Sequence, residues 1–138
     1  MLSSVTVNDY MTSAMISVKP DVDIVEAAQT LLEYRLSGLP VLDDHNRLVG
    51  FLSEKDCLHT VLSAVYNQDY GDLVEDRMSK DLKTVHPSDN IADVAEWFIR
   101  DGVRMYPVVE KDIVVGMISR QSVLNAFCRI SLTHPQSK

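Results

Sequence analysis

The sequence predicts an α/β (α+β) fold built from two β-α-β-β-α repeats packed about a pseudo-twofold axis, and three observations lead there. The first is self-similarity. Val7, Asp9, Met11, Val18, Pro20, Ile24, Ala28, Pro40 and Val41 recur as Val74, Asp76, Met78, Val85, Pro87, Ile91, Ala95, Pro107 and Val108, all at the offset of 67 that separates Met11 from Met78. After the turn the offset is 66, and Val49, Gly50, Ser53 and Leu58 face Val115, Gly116, Ser119 and Leu124. An offset held through several elements marks a duplicated unit. The second observation is that each copy passes from a helical apolar period to two short apolar runs. The third is size: 138 residues and 15.5 kDa, with 46% hydrophobic residues, suit one compact body, whereas a half of roughly 60 residues buries too little surface to stand alone.

The elements follow in chain order. A short helix is expected around Asn8 to Met11, and Ile16 to Val18 is long enough for one strand before Pro20. Ile24, Ala27, Ala28, Leu31 and Leu32 lie on one helical face behind the cap candidates Asp23 and Glu26. A hairpin comes next: strand Leu39 to Leu42, polar turn Asp43 to Arg47, strand Leu48 to Leu52, then a helix opening at Ser53. Tyr66 to Asp72 is a polar connection. The second copy repeats the plan with a short helix at Val74 to Met78, a strand at Lys83 to Val85, and a helix carrying Ile91, Val94, Ala95, Phe98 and Ile99 behind Asn90 and Asp93. That helix should stop near Gly102, a residue able to take the left-handed conformation. Tyr106 to Val109, the turn Glu110 to Asp112 and Ile113 to Ile118 form the second hairpin, and a last helix opens at Ser119. The repeats are placed at residues 5–65 and 72–130, with 131–138 a frayed tail.

Composition narrows the function. Twenty acidic against thirteen basic side chains give a formal charge of -7, a field that repels nucleic acid and anionic lipid, so an anionic ligand needs a local positive site. The first nine residues lack a basic segment followed by an apolar run, and no later stretch reaches membrane-spanning length, which predicts a cytoplasmic protein. Cys57 and Cys128 have no CxxC spacing and read as reduced, packed thiols. His45, His59, His86 and His134 are scattered, and Cys57 and His59 point in different directions from a helix. Neither a metal site nor an assembled nucleophile and base is expected, so the chain reads as a non-enzyme.

Gly50-Phe51-Leu52-Ser53-Glu54-Lys55-Asp56 is the strongest local signal. A strand delivers Ser53 to a helix start, where free N–H groups, the positive dipole end and a hydroxyl favour phosphate. Asp56 lies one turn on, and an ionised carboxylate can accept from both vicinal hydroxyls of a ribose. The same pair is also a capping box that needs no ligand. Both readings stand at this point.

Taken together, Met11-Thr12 through Val18-Lys19-Pro20, Ser37 to Asp43 and Leu48 to Asp56 resemble a cystathionine β-synthase (CBS) domain. Met78-Ser79, Val85-His86-Pro87, Tyr106 to Val109 and Val115 to Ser119 resemble a second one in tandem, a stand-alone Bateman module. The resemblance implies a regulatory module that binds an adenosine-containing ligand (AMP, ADP, ATP or S-adenosylmethionine) between the repeats and requires no cofactor. It also implies a homodimer that passes its signal to a protein partner. It assigns a principal site to Ser17, Val18, Gly38, Leu39, Pro40, Ser53, Asp56 and Arg104, with Gly38 admitting a flat base. A weaker second site falls on Thr84, Met105, Tyr106, Pro107, Ser119, Arg120 and Ser122, because Ser122 replaces the ribose-binding carboxylate and Met105 fills the place of Gly38. The stretch Asp101 to Pro107 resembles the regulatory subunit of AMP-activated protein kinase, which implies a phosphate contact for Arg104, against a plain salt bridge to a neighbouring acid. Arg35, Lys19 and His86 are lesser candidates. The competing reading is an unliganded module for dimerisation or protein interaction.

Overall fold

The computed structural model describes residues 4–68 and 71–133, and the chain divides into two compact units. One runs Ile16–Leu82; the other joins the segment up to Met15 with everything from Lys83 onward. These units are not the sequence repeats. The leading segment of the first copy belongs to the unit that holds the second hairpin.

In the continuous unit, α2 (Ile24–Tyr34) starts because the Asp23 carboxylate accepts from the Val25 N–H at 2.8 Å, and it stops at Arg35, whose φ is 55°. Glu26, expected to share that cap, takes no part in it. Strands β1 (Gly38–Leu42) and β2 (Leu48–Ser53) pair antiparallel with Gly38 opposite Ser53, Leu39 opposite Leu52 and Pro40 opposite Phe51. Because successive residues alternate faces, Leu39, Val41 and Leu52 share one side. They pack there with Ile24, Ala27 and Leu31 of α2, Cys57 of α3 (Glu54–Asn67) and Val74 of α4 (Val74–Arg77).

The second unit repeats this plan. It holds α1 (Val7–Tyr10), α5 (Ile91–Asp101), β3 (Met105–Glu110), β4 (Ile113–Ser119) and α6 (Arg120–Thr133). Its core gathers Val7, Val85, Ile91, Val94, Phe98, Tyr106, Val108, Ile118, Val123 and Ala126. Asn90 caps α5 through the Ala92 N–H, and α5 ends at Gly102 with φ 67°, where the sequence places its stop.

Three features depart from expectation. The segments Ile16 to Val18 and Lys83 to Val85 do not form strands but single parallel bridges, Val18 to Val41 and Val85 to Val108. The Val18 N–H donates to Pro40 O at 3.1 Å and its carbonyl accepts from Leu42 at 2.9 Å. Extension stops there because Pro20, like Pro87 in the other copy, has no N–H to give. The second departure is the tail, since α6 carries the helix through Thr133; the rest of the expected tail, 134–138, lies outside the described residues. The expected polar connection is helical at Tyr66 and Asn67, and its positions 69–70 are likewise outside them. Among the described residues no helix is long and apolar enough to cross a membrane.

The leading segments are held by backbone bonds. Val7 and Asn8 of α1 donate to Asp89 O and Pro87 O at 2.9 Å each, and Thr12 exchanges two bonds of 2.9 Å with Met117. In the other unit Val74 donates to Val22 O at 2.8 Å, and Ser79 exchanges bonds of 2.8 and 3.0 Å with Phe51. Two glycines let these segments approach. A Cβ on Gly116 would stand 2.6 Å from the Thr12 carbonyl oxygen, and one on Gly50 would collide with the Met78 thioether. A thioether can swing away, whereas a paired backbone carbonyl cannot. Gly116→Ala should therefore destabilise the protein by about 1–3 kcal/mol in urea unfolding, and Gly50→Ala by less; equal losses would show that this difference in neighbours is immaterial.

Candidate functional site

Strand β2 ends at Ser53, whose extended backbone (φ -101°, ψ 164°) makes it the N-cap of α3. Ser53 Oγ accepts from the Asp56 N–H at 3.1 Å, and Asp56 Oδ2 accepts from the Ser53 N–H at 2.9 Å. The capping box is therefore formed. It engages one carboxylate oxygen; among the described residues Oδ1 of Asp56 accepts no hydrogen bond. Ser53 and Asp56 are half-buried at the same helix start, so the cap and the ligand reading use the same geometry without conflict.

In the second copy Ser119 Oγ accepts from the Ser122 N–H at 3.1 Å, and the two hydroxyls lie 3.1 Å apart. The helix start is kept and the charge is absent. Here the structure adds a connection that the sequence assignment divides: the Arg120 N–H donates to Arg104 O at 3.1 Å. Arg104, expected in the principal site with Ser53, is thus tied to the first residue of α6 beside Ser119. Both arginines are exposed, and neither has an ion pair or side-chain hydrogen bond among the described residues.

The acid nearest to Arg104 in the sequence is Asp101, and it is already engaged. Arg100 Nε donates to its Oδ1 at 2.9 Å, while Arg100 Nη2 and the Tyr106 hydroxyl donate to Oδ2 at 3.2 and 2.6 Å. The Arg100 bond first, and the Tyr106 hydroxyl second, hold the Asp101 carboxyl down at about 2. The Tyr106 phenol is pushed up, by burial first and by Asp101 second.

Several residues assigned to the base have contacts within their own units. Tyr106 is 2% exposed, with its ring centroid 4.4 Å from that of Phe98, and Leu39 is fully buried; both are core side chains because they sit on the helix-facing side of their hairpins. Pro40 and Pro107 are buried as well. Val18 and Val85 spend both backbone groups on bridges, which leaves the exposed neighbours Ser17 and Thr84 outside that pairing. Over Gly38 the space is filled: a Cβ there would meet the Phe51 ring. The glycine admits the hairpin's own aromatic side chain. Met105, its counterpart, is half-buried. Phe51 went unrecognised in the sequence, although period-two alternation puts it on the Ser53 face.

Of the lesser candidates, Lys19 Nζ donates to Asp43 O at 2.9 Å and lies 3.6 Å from Asp44. His86 bonds Ser88 Oγ at 2.8 Å through Nδ1, and Arg35 serves as the left-handed C-cap of α2. Burial, then the charges of Asp56 and Glu54, push the Cys57 thiol up to about 11, so it is protonated at neutral pH. Among the described residues no group of His, Cys, Asp and Glu could hold a metal ion.

Comparison with known proteins agrees with this architecture. The CBS domain family model matches residues 7–63 and 71–129, and the chain belongs to the CBS domain family. CBSX2 of Arabidopsis thaliana, solved in complex with AMP, has a TM-score of 0.81 and 32% identity over 91% of this chain and 98% of that chain. The CBS domain pair of MJ0100, in complex with 5'-methylthioadenosine and S-adenosyl-L-methionine, shares the fold with a TM-score of 0.78 at 24% identity, covering 90% of this chain and 96% of that one. The protein MJ1225 of Methanocaldococcus jannaschii is 30% identical over 113 residues, 82% of this chain. The chain spans 39% of that relative's length.

Two outcomes follow from these contacts. Ser53→Ala should cost about 1 kcal/mol of unfolding free energy without any ligand, because the Asp56 N–H loses its acceptor; an unchanged urea midpoint would contradict the cap. Asp101 has a folded-state value below its ordinary one, so its stabilisation is complete above about pH 4 and is lost as the pH falls toward about 2. Wild type should therefore lose its stability advantage over Asp101→Asn across that window, and a constant difference would mean that the carboxylate is not held as described.

Proposed function

We propose that this CBS pair is a regulatory module that binds an adenosine-containing ligand, with Ser53 and Asp56 holding the ribose and phosphate end at the start of α3. The observation that carries the proposal is the likeness to CBSX2, a protein solved with AMP, over 98% of that chain at 32% identity. The local chemistry supports it. At the helix start the Glu54 and Asp56 N–H groups donate to Ser37 O and Ser53 Oγ, which leaves the Lys55 N–H and the positive dipole end to an anion, and Asp56 Oδ1 is available to a ribose hydroxyl. In the other unit Arg104 and Arg120, adjacent at the start of α6 and without acidic partners among the described residues, give a protein of net charge -7 a local positive charge suited to a phosphate. AMP, ADP, ATP and S-adenosylmethionine are the candidate ligands.

The module acts by linkage in this reading. A ligand that binds one conformation better shifts the population toward it, and a protein partner that prefers that conformation responds. Homodimerisation belongs to the same proposal, because Leu58, Val61, Leu62 and Val65 form an exposed apolar stripe on α3 at helical spacing. That stripe also favours a second reading, an interaction module without a ligand, as does the Phe51 ring seated over Gly38.

Thermal unfolding in the presence of each candidate separates the two readings. A ligand at 100 times its dissociation constant stabilises the native state by about 2.7 kcal/mol, a shift of several degrees, and absence of a shift with all four candidates would leave the interaction module. By calorimetry, Asp56→Ala should weaken the bound nucleotide by about tenfold or more and Ser122→Ala by less, since only the former removes a charged acceptor. Equal losses would remove the asymmetry between the copies.

A further inference from the structure

We propose that Asp101 and Tyr106 are positioning residues for Arg104: the bond between them closes the segment that carries Arg104 and withholds from its guanidinium the acid nearest in the chain. The inference rests on the proposed role of Arg104 toward a ligand phosphate. Residues 101–106 leave α5 and enter β3 through a short bend. At one end Asp101 is the last residue of the helix, followed by Gly102 in the left-handed conformation. At the other, Tyr106 is locked in the core against Phe98. The 2.6 Å bond from the Tyr106 hydroxyl to Asp101 Oδ2 joins these ends, and the Arg120 N–H holds the carbonyl of Arg104 between them at 3.1 Å. The Arg104 backbone is thereby fixed on three sides while its side chain stays exposed.

The same contacts settle where the Asp101 charge goes. A carboxylate three residues from an arginine across a bend is a ready ion-pair partner, and such a pair would neutralise the guanidinium before any phosphate arrived. The side chain of Asp101 is only 9% exposed, and both of its oxygens are taken by Arg100 and Tyr106. Loss of the Tyr106 hydroxyl would leave Oδ2 with a single 3.2 Å contact, free to turn toward Arg104. Arg100, which lies two-thirds exposed, acts as the sacrificial partner of that carboxylate.

Calorimetric titration with AMP and with adenosine tests this, because the two ligands differ only by the phosphate. Tyr106→Phe keeps the buried ring and deletes the hydroxyl; it should weaken AMP by about three- to tenfold and leave adenosine unchanged. In an Arg104→Ala background the same substitution should cost AMP nothing further. If Tyr106→Phe folds poorly, Asp101→Ala, which removes the bond together with the competing acid, should weaken AMP selectively but by less than Tyr106→Phe is expected to. Equal weakening of AMP and adenosine, or an AMP loss that persists undiminished without Arg104, would overturn the positioning role while nucleotide binding stands. Wild type that binds AMP no better than adenosine, or an Arg104→Ala variant with unchanged AMP affinity, would instead overturn the phosphate reading and this inference with it.

Discussion

Each hairpin in this protein has two strands only, and two strands alone expose a row of unpaired backbone groups along both edges. The structure depends on closing those edges. Val18 closes the outer edge of β1 and Ser79 that of β2; Val85 and Thr12 do the same for β3 and β4. Each closure is made of two hydrogen bonds at a single residue, too few to count as a strand but enough to anchor a segment. From those anchors the short helices α4 and α1 reach their own cores, where Val74 and Val7 are fully buried. The glycines of Val49-Gly50 and Val115-Gly116 belong to this constraint, because they admit the anchored segments against the hairpins.

This constraint also explains which parts of the fold were legible. The stripes Ile24, Ala27, Leu31 and Ile91, Val94, Phe98 announce helices because burial repeats every turn. The hairpins announce themselves because the polar turns after Leu42 and Val109 are flanked by apolar runs. Helix stops at Gly102 and starts at Ser53 follow from backbone chemistry confined to one residue. The assignment of the leading segments was not legible. Nothing local to Met11-Thr12 distinguishes a partner at Met117 from one in its own copy, since the two copies carry the same pattern and the choice depends on chain path. The single-residue bridges at Val18 and Val85 were equally hidden, because apolar residues before a proline look alike whether they pair once or three times.

At the candidate site the heptapeptide ending in Asp56 is legible in chemistry and ambiguous in purpose: the structure forms the cap and leaves room for the proposed ligand role. A carboxylate has two oxygens. Oδ2 fastens the helix start, which orients Oδ1 and the Ser53 hydroxyl without help from a ligand. Preorganisation of this kind spares a ligand the entropy of ordering its own contacts. The Ser119 and Ser122 pair keeps the orientation but not the charge. What could not be read in advance were the groups that act through tertiary contact: Phe51 over Gly38, and Asp101 bound by Tyr106 five residues away across a bend.

The division of the chain bears on how the protein is made. Synthesis is vectorial, at about 5–20 residues per second, so every segment of the unit Ile16–Leu82 has been made before any residue from Lys83 onward. Residues 4–15 belong to the unit that is completed later. Their apolar side chains, Val7 among them, must wait until Met117 has been translated, so for several seconds the nascent polypeptide carries an arm whose docking surface does not yet exist.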